Sequence, residues 1–380
     1  MLKTGVIGLG FIGPVHIEAL RRTGMADIVA VADQNRAAAD ACASKYNIPK
    51  SYTDYRDMLK NTEIDVIHIC APNFLHYEIA KAVLESGKHV ICEKPLAICA
   101  DEGRELVNLA KEKKKVGVTS FNLRFYPLVQ QARAMVQKGE LGKLYAYHGT
   151  YLQDWLLYDT DYSWRLDSKI CGKSRAVADI GSHWIDMAEY VTGGRIVSLC
   201  ADTTTFLPVR KRPSCEVRSF QTAEIGEYES VQIDTEDFAT LLFHMDNGVR
   251  GNLTVSQISA GRKNRLQFEA DGAENSLAWD SEQPNSLWIG HRDSYNEQLI
   301  KDPNLMYADT RTYADFPGGH TEGFPDTSKQ LFKSVYEYIL RNGHLKGEKP
   351  DFPTFEDGLR ETLICDAILE SSEKKAWIDV

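Results

Sequence analysis

No CxxC pair occurs in this chain, and its 8 cysteines are scattered singly, several of them inside apolar runs (Cys70, Cys92, Cys200). That distribution excludes a clustered-thiol zinc site and a disulfide framework. It predicts reduced core thiols in a cytoplasmic protein. No apolar run approaches the roughly 20 residues that span a bilayer, so no membrane partner is expected. The opening Met1-Leu-Lys-Thr-Gly-Val-Ile-Gly lacks a signal-peptide layout and enters a strand pattern at once. Concentrated positive charge is missing too. Lys and Arg number 44 against 54 Asp and Glu, for a formal charge of −10. The densest basic run, Lys111 to Lys115, reads as the solvated end of a helix. No nucleic-acid partner is expected of such a chain. Internal repeats and low-complexity linkers are likewise absent. What remains is an ordinary soluble composition, 43% hydrophobic and 26% charged, and 380 residues are enough for two domains.

Short β-rich apolar runs recur at Thr4–Ile7, Ile28–Ala32, Val66–Cys70, Val90–Cys92 and Val116–Thr119. Helical patterns separate them, at Pro14–Arg22, Arg36–Tyr46, Leu75–Ser86 and Asp101–Lys114. Alternation of this kind predicts a parallel sheet covered on both faces, because parallel neighbours need a crossover connection. After Phe121 the pattern changes. A helix over Pro127–Lys138 leads to a strand over Leu144–Leu152, an aromatic-rich loop and a helix over Val177–Val191. Mostly strands follow from Ile196 to about Trp288, including a hairpin at Asp246-Asn-Gly248, and two helices (Gly323–Arg341, Phe355–Ser372) close the chain. The expected organisation is an α/β dinucleotide-binding domain over residues 1–122 and an α+β domain with a mainly antiparallel sheet over 123–380.

Gly8-Leu-Gly10-Phe11-Ile12-Gly13 directly follows the first strand and opens the first helix. In this setting Gly8 permits a tight turn, Gly10 lets backbone approach a pyrophosphate, and Gly13 lets helix pack on strand. The second strand ends at Asp33, twenty residues past Gly13, where a carboxylate can accept hydrogen bonds from a ribose diol. Its charge would repel a 2′-phosphate, which favours NAD over NADP, while Arg36 nearby works the other way. A second feature is the pair Glu93-Lys94, set immediately after the apolar run Val90-Ile-Cys92 and before Pro95. Two readings fit: charges facing a cofactor at the carboxyl edge of the sheet, or a surface turn with a salt-bridged lysine. A third is Ala178-Asp179-Ile-Gly-Ser-His183-Trp-Ile-Asp186. On a helix, positions 179, 183 and 186 share one face, opposite the apolar stripe Ile180, Trp184, Met187 and Val191. An Asp one turn from a His can orient the imidazole for general-base work; the same spacing also suits a solvated polar stripe. A metal held by Asp179, His183 and Asp186 would need further ligands, and none clusters there, so no metal is expected.

Together these segments resemble the glucose–fructose oxidoreductase and inositol dehydrogenase family (Gfo/Idh/MocA). The resemblance spans nearly the whole chain. It includes the glycine turn, Ala71-Pro-Asn-Phe-Leu-His76 behind a strand, Glu93-Lys94-Pro95, Asn122-Leu-Arg-Phe125, and Asp179 four residues before His183. It implies a Rossmann domain followed by an α+β domain with a large open sheet, whose face commonly forms homodimer or homotetramer contacts. It further implies an NAD-dependent oxidoreductase acting on a secondary alcohol of a sugar, sugar derivative or inositol. Lys94, Asp179 and His183 match the family's catalytic positions. Pro72, Asn73, His76, Glu93 and Asn122 match positions lining its cofactor. Two relatives' activities stand as alternatives: an NAD-dependent glycosidase working through transient C3 oxidation, and a non-catalytic NAD-binding sensor.

Two loops are candidates for a small carbohydrate substrate. Tyr151 to Arg165 is dense in aromatic and polar groups, with Trp155, Tyr158, Trp164 and Arg165 suited to sugar C–H faces and hydroxyls. Packing as a linker or oligomer contact suits it equally. Pro317-Gly-Gly-His320 has glycines that allow close backbone approach, and His320 is the candidate there.

Overall fold

The computed structural model describes residues 1–214 and 228–380. The strand-rich stretch expected from Ile196 to Trp288 thus includes residues 215–227, which lie outside those described.

The chain begins as β1 (Leu2–Ile7), α1 (Ile12–Thr23), β2 (Ala26–Ala32), α2 (Arg36–Lys45), β3 (Lys50–Tyr52) and α3 (Tyr55–Leu59). It continues as β4 (Val66–Ile69), α4 (His76–Glu85), β5 (His89–Cys92), α5 (Ala100–Glu112) and β6 (Gly117–Thr119). The six strands form one sheet in the order β3-β2-β1-β4-β5-β6, and every pair is parallel. All four residues of β4 and all four of β5 are buried, as helices on both faces require. The chain order reverses between β1 and β4, and such a switch opens a ligand crevice beyond the strands' carboxyl ends. The sequence pattern missed β3 and α3, which are too short to carry a periodic signal.

After α6 (Pro127–Gln137), β7 (Leu144–Leu152), the single turn α7 (Ser168–Cys171) and α8 (Ser182–Thr192), strands dominate. They are β8 (Ile196–Thr204), β9 (Val209–Pro213), β10 (Tyr228–Gln232), β11 (Phe238–Met245), β12 (Arg250–Ser256), β13 (Arg265–Gly272), β14 (Asn275–Asp280), β15 (Ser286–His291) and β16 (Glu297–Ile300). Three helices, α9 (Phe324–Leu340), α10 (Gly343–Lys346) and α11 (Phe355–Lys374), precede the terminal β17 (Ile378–Asp379). The main sheet runs β16-β15-β14-β13-β7-β12-β11-β8-β17, antiparallel except where β7 pairs with β12. Along β11, Ala239, Leu241 and Phe243 point to a covered face while Leu242 is exposed, so one side is packed and the other open. The covered side holds an aromatic core: Tyr147 stacks on Phe268 at 5.2 Å, and Trp184 of α8 meets Tyr147 at 5.1 Å. The Trp184 indole donates to the Gln267 carbonyl at 2.8 Å, which satisfies its buried N–H. The expected hairpin is present, with Gly248 at φ 91° between β11 and β12.

The compact units are not two continuous segments. Met1–Leu123 groups with Phe324–Thr362, and Arg124–Gly323 groups with Leu363–Val380. The expected division at 122/123 therefore omits a return of the chain. Its cause is long-range packing: α9 lies on α1, Arg22 pairs with Asp326, and the Tyr336 hydroxyl reaches Thr4 of β1 at 2.8 Å. Phe355 packs over Gly117, where an added Cβ would stand 2.6 Å from its ring. Among the described residues no helix is long and apolar enough to cross a membrane.

His89 opens β5 nearly buried, and its Nδ1 accepts the Val116 N–H at 3.0 Å. Burial first, then the charge of Lys115 and the nearby His344, pushes its pKa down to about 3. The unfolded imidazole binds a proton below about pH 6.5 and the folded one refuses it, so its stabilisation is complete above that pH and falls with acidification. Urea unfolding at pH 7 and pH 5 should show His89→Gln losing about 2 kcal/mol less than the parent over that interval. Equal losses would remove His89 as the cause.

Candidate active site

In the first unit β1 ends at Ile7, and the chain turns at Gly8 with φ 87°. A Cβ at Gly8 would stand 2.6 Å from the backbone of Cys70 and Ala71, and one at Gly13 only 2.2 Å from the Gly8 carbonyl. The protein's own packing thus demands both glycines. Gly10 differs: a Cβ there would meet nothing within 4 Å. Close approach of a pyrophosphate to the backbone is what a glycine at that place serves. Phe11, the N-cap, makes no side-chain cap, so the turn leading into Ile12 can direct its first amides at an anion. Asp33 follows β2, with Oδ2 accepting the Leu9 N–H and Oδ1 the Asn35 N–H, each at 2.9 Å. Each carboxylate oxygen retains a lone pair for a ribose hydroxyl. Arg36 is turned toward its own helix, 3.6 Å from Asp40 and 3.2 Å from the Thr53 hydroxyl. These residues fit a dinucleotide with a free ribose diol.

Beyond β4, Pro72 and Asn73 start a short 3-10 turn, Asn73–Leu75. His76 is held from both sides. Its ring is buried with Nδ1 2.6 Å from the Pro95 carbonyl and Nε2 2.8 Å from that of Ala71, so it ties two loops of the crevice together. Asn122 also spends its amide inside the unit, donating to Thr327 at 2.7 Å and Ser328 at 3.2 Å on α9.

Glu93 sits just past β5, its N–H donating to the Ile69 carbonyl at 2.9 Å. Behind it runs a buried chain. Glu93 Oε1 is 3.0 Å from His16 Nε2, His16 Nδ1 is 2.9 Å from His68 Nδ1, and His68 Nε2 is 3.1 Å from the Tyr336 hydroxyl. One set of tautomers satisfies every link: Tyr336 donates to His68, His68 to His16, and His16 to Glu93. Burial opposes ionisation of Glu93, but the hydrogen bond and charge of His16, the Lys94 ammonium and the Ser120 hydroxyl outweigh it and bring its pKa down to about 2. Burial also drives His68 well below its ordinary value. Lys94 follows this fixed anion, joined to Pro95 by a cis peptide.

In the second unit Asp179 lies in a π-helical turn, Val177–Gly181, that runs directly into α8, where His183 is the second residue. Such wide turns recur at functional sites. His183 is buried on the helix rather than part of a solvated stripe. Asp179 Oδ2 accepts a 2.9 Å hydrogen bond from the Gln257 amide, and its Oδ1 faces Arg165 at 3.7 Å. Arg165 lies over the Trp164 ring at 4.5 Å and near Trp155 at 6.0 Å. The Trp155 indole donates to Gln153, whose amide and the Tyr151 hydroxyl both donate to Asn264. Trp155, Trp164 and Arg165 therefore gather beside Asp179. Tyr158, by contrast, is 65% exposed. His320 is exposed on a loop of its own, whose carbonyls at 316, 317 and 320 are held by the buried Lys301 ammonium paired with Glu322. Asp186 is committed to Arg124, which grips both of its oxygens.

Several of these partners escaped the sequence reading. His16 and His68 carried a usable signal, since a histidine inside an apolar helix face or strand must find a buried partner. Gln257 carried none, because its pairing with Asp179 spans 78 positions.

Comparison with known proteins agrees with this geometry. Residues 2–121 match the model of an oxidoreductase family with an NAD-binding Rossmann fold, and residues 129–278 match the GFO/IDH/MocA C-terminal domain. Levoglucosan dehydrogenase of Pseudarthrobacter phenanthrenivorans is 31% identical over 100% of this chain and 98% of its own. D-glucoside 3-dehydrogenase of Escherichia coli is 30% identical over 64% of this chain and 67% of its own. A solved levoglucosan dehydrogenase in complex with NADH and L-sorbose superposes with a TM-score of 0.88 at 29% identity, covering 100% of this chain and 98% of that one. A glycine turn that closes on β4, an aspartate ending β2, a lysine set behind an ionised glutamate and a matched second domain lead to one conclusion: this chain belongs to the Gfo/Idh/MocA family of NAD-binding oxidoreductases.

Proposed function

We propose that this chain oxidises a secondary hydroxyl of a pyranose, an anhydrosugar or a cyclic polyol with NAD, and reduces the ketone in the reverse direction. The observation carrying this reading is the environment of Asp179: a carboxylate held by Gln257, faced by Arg165, beside two tryptophans, and one turn from a buried histidine. Indole faces accept sugar C–H groups, while guanidinium and amide donors take the hydroxyls. Relatives named levoglucosan dehydrogenase and D-glucoside 3-dehydrogenase support a carbohydrate substrate.

His183 takes the hydroxyl proton. Asp179 orients the imidazole and stabilises the imidazolium that forms. Lys94 supplies an ammonium that can donate a hydrogen bond to a substrate oxygen and oppose charge build-up on it. The nicotinamide, when bound, supplies the hydride-accepting carbon. Gly8, Gly10, Phe11, Ile12 and Gly13 cradle the pyrophosphate, Asp33 takes the ribose diol, and Pro72, Asn73 and Glu93 line the crevice. Free cysteines throughout the described residues support a cytoplasmic location. The open face of the nine-stranded sheet, with Leu242 exposed, supports a homodimer or homotetramer, which light scattering reads directly.

The test is NAD and NADP reduction across inositols, glucosides, anhydrosugars and aldoses. Lys94→Ala and His183→Ala should each lower kcat by about 10²–10⁴ while NAD still binds by calorimetry. Turnover persisting in both variants would dismiss these roles. Phenol release from a nitrophenyl glycoside at constant NADH absorbance would instead make the chain an NAD-dependent glycosidase. Asp33→Ala should lower kcat/KM for NAD about 10–100-fold and raise it for NADP. An unchanged cofactor ratio would count against a ribose contact.

A further inference from the structure

A buried polar system in the second unit reaches well beyond the contacts used above. Its starting point is Arg210 on β9, whose guanidinium is fully buried. Nη1 donates to the carbonyls of Tyr158 at 2.8 Å and Asp161 at 3.1 Å, and Nη2 to that of Leu156 at 2.9 Å. One side chain therefore holds three carbonyls of the aromatic loop. Nη2 also donates to Asp237 Oδ1 at 2.9 Å. Asp237 is fully buried as well, and the same oxygen accepts from Arg175, while Oδ2 accepts the Leu207 N–H at 2.8 Å.

Arg175 carries the connection onward. Its Nη1 reaches Gln257 Oε1 at 3.4 Å, and its Nε donates to the Thr235 hydroxyl at 3.2 Å. An amide whose oxygen faces a guanidinium must turn its nitrogen the other way, and Gln257 Nε2 donates to Asp179. Gln257 is fully buried, so that orientation has no solvent alternative. Beside it, Glu236 Oε1 accepts from the Ser174 hydroxyl and from the N–H groups of Arg175 and Val177, fixing the start of the π-helical turn that carries Asp179. Two guanidinium groups sharing a carboxylate in a core are an inefficient way to gain stability, since apolar residues of similar volume often do as well. What an apolar side chain cannot do is hold carbonyls in chosen directions.

We infer that Asp237 is a positioning residue common to both parts of the proposed site. Through Arg210 it sets the backbone of the loop at 156–161, and through Arg175 and Gln257 it sets Asp179. The significance of the two ends rests on the function proposed above; the linkage itself does not.

The experiment separates the two. Amide hydrogen exchange is followed on the full chain for the parent, Asp237→Asn, Arg210→Lys and Gln257→Leu. Asp237→Asn should raise exchange about tenfold in both 156–161 and 177–183, the size expected for losing a hydrogen bond to a charged group. Gln257→Leu should raise it only in 177–183. If Asp237→Asn does not fold, Arg210→Lys stands in for it, because an ammonium keeps the charge but cannot span three carbonyls. With a sugar the parent oxidises, Gln257→Leu should lower kcat about tenfold with little change in KM, and Arg210→Lys should raise KM. Exchange that changes in one segment alone for folded Asp237→Asn, or that stays unchanged in 156–161 for Arg210→Lys, overturns the inference. Linked exchange in an enzyme that oxidises no sugar would leave the linkage standing and remove the proposed function instead.

Discussion

A carboxylate ionised at the end of an apolar strand has to be compensated by groups that arrive from elsewhere, and much of the first unit is arranged around that requirement. Glu93 follows β5, a strand with no exposed residue. Desolvation alone would push its proton on. The His16 ring, backed by His68 and Tyr336, takes the opposite side and wins, as the carboxyl's descent to about 2 records. In the tautomer set that satisfies every link, the donors of that chain all point toward Glu93. Lys94 is thereby set beside a permanent anion, with its backbone anchored by the Pro95 carbonyl against His76.

The second unit solves a similar problem with different means. Asp179 lies at the covered side of an open sheet, part-buried, where protein groups supply most of its surroundings. These are a glutamine, an arginine and a π-helical turn. The wider turn matters because it alters the angular offset between Asp179 and the first residues of α8. A regular α-helix through Val177 would have put the same residue at a different azimuth. Arg165 lies over the Trp164 ring and near that of Trp155, which gives this part of the second unit a mixed apolar and cationic character.

Much of this was legible in one dimension. The alternation of apolar runs and helical patterns identified a parallel sheet, and the observed strands β1, β2, β4, β5 and β6 fall within those runs or within two residues of them. Gly8, Gly10 and Gly13 were readable because a tight turn, a close approach and a helix–strand contact each leave a glycine. Other features left no local trace. The three-residue β3 is too short for any period, and α9's place in the first unit follows from Tyr336 and Asp326 meeting residues hundreds of positions earlier. Nor does composition show that the His76 ring meets the Pro95 and Ala71 carbonyls or that the Asn122 amide meets α9.

What the sequence determined by itself is the set of covalently local facts: periodicity, turn glycines, and the four-residue spacing of Asp179 to His183. These need only the backbone's geometry and the preference of apolar side chains for burial. Tertiary structure alone decided which polar side chains meet. The partners of Glu93 and Asp179 lie on other elements, and a hydrogen bond depends on tenths of an ångström and on direction, which no pattern of residue types encodes. Hence the chain announces where its charged groups are, while the fold settles what holds them.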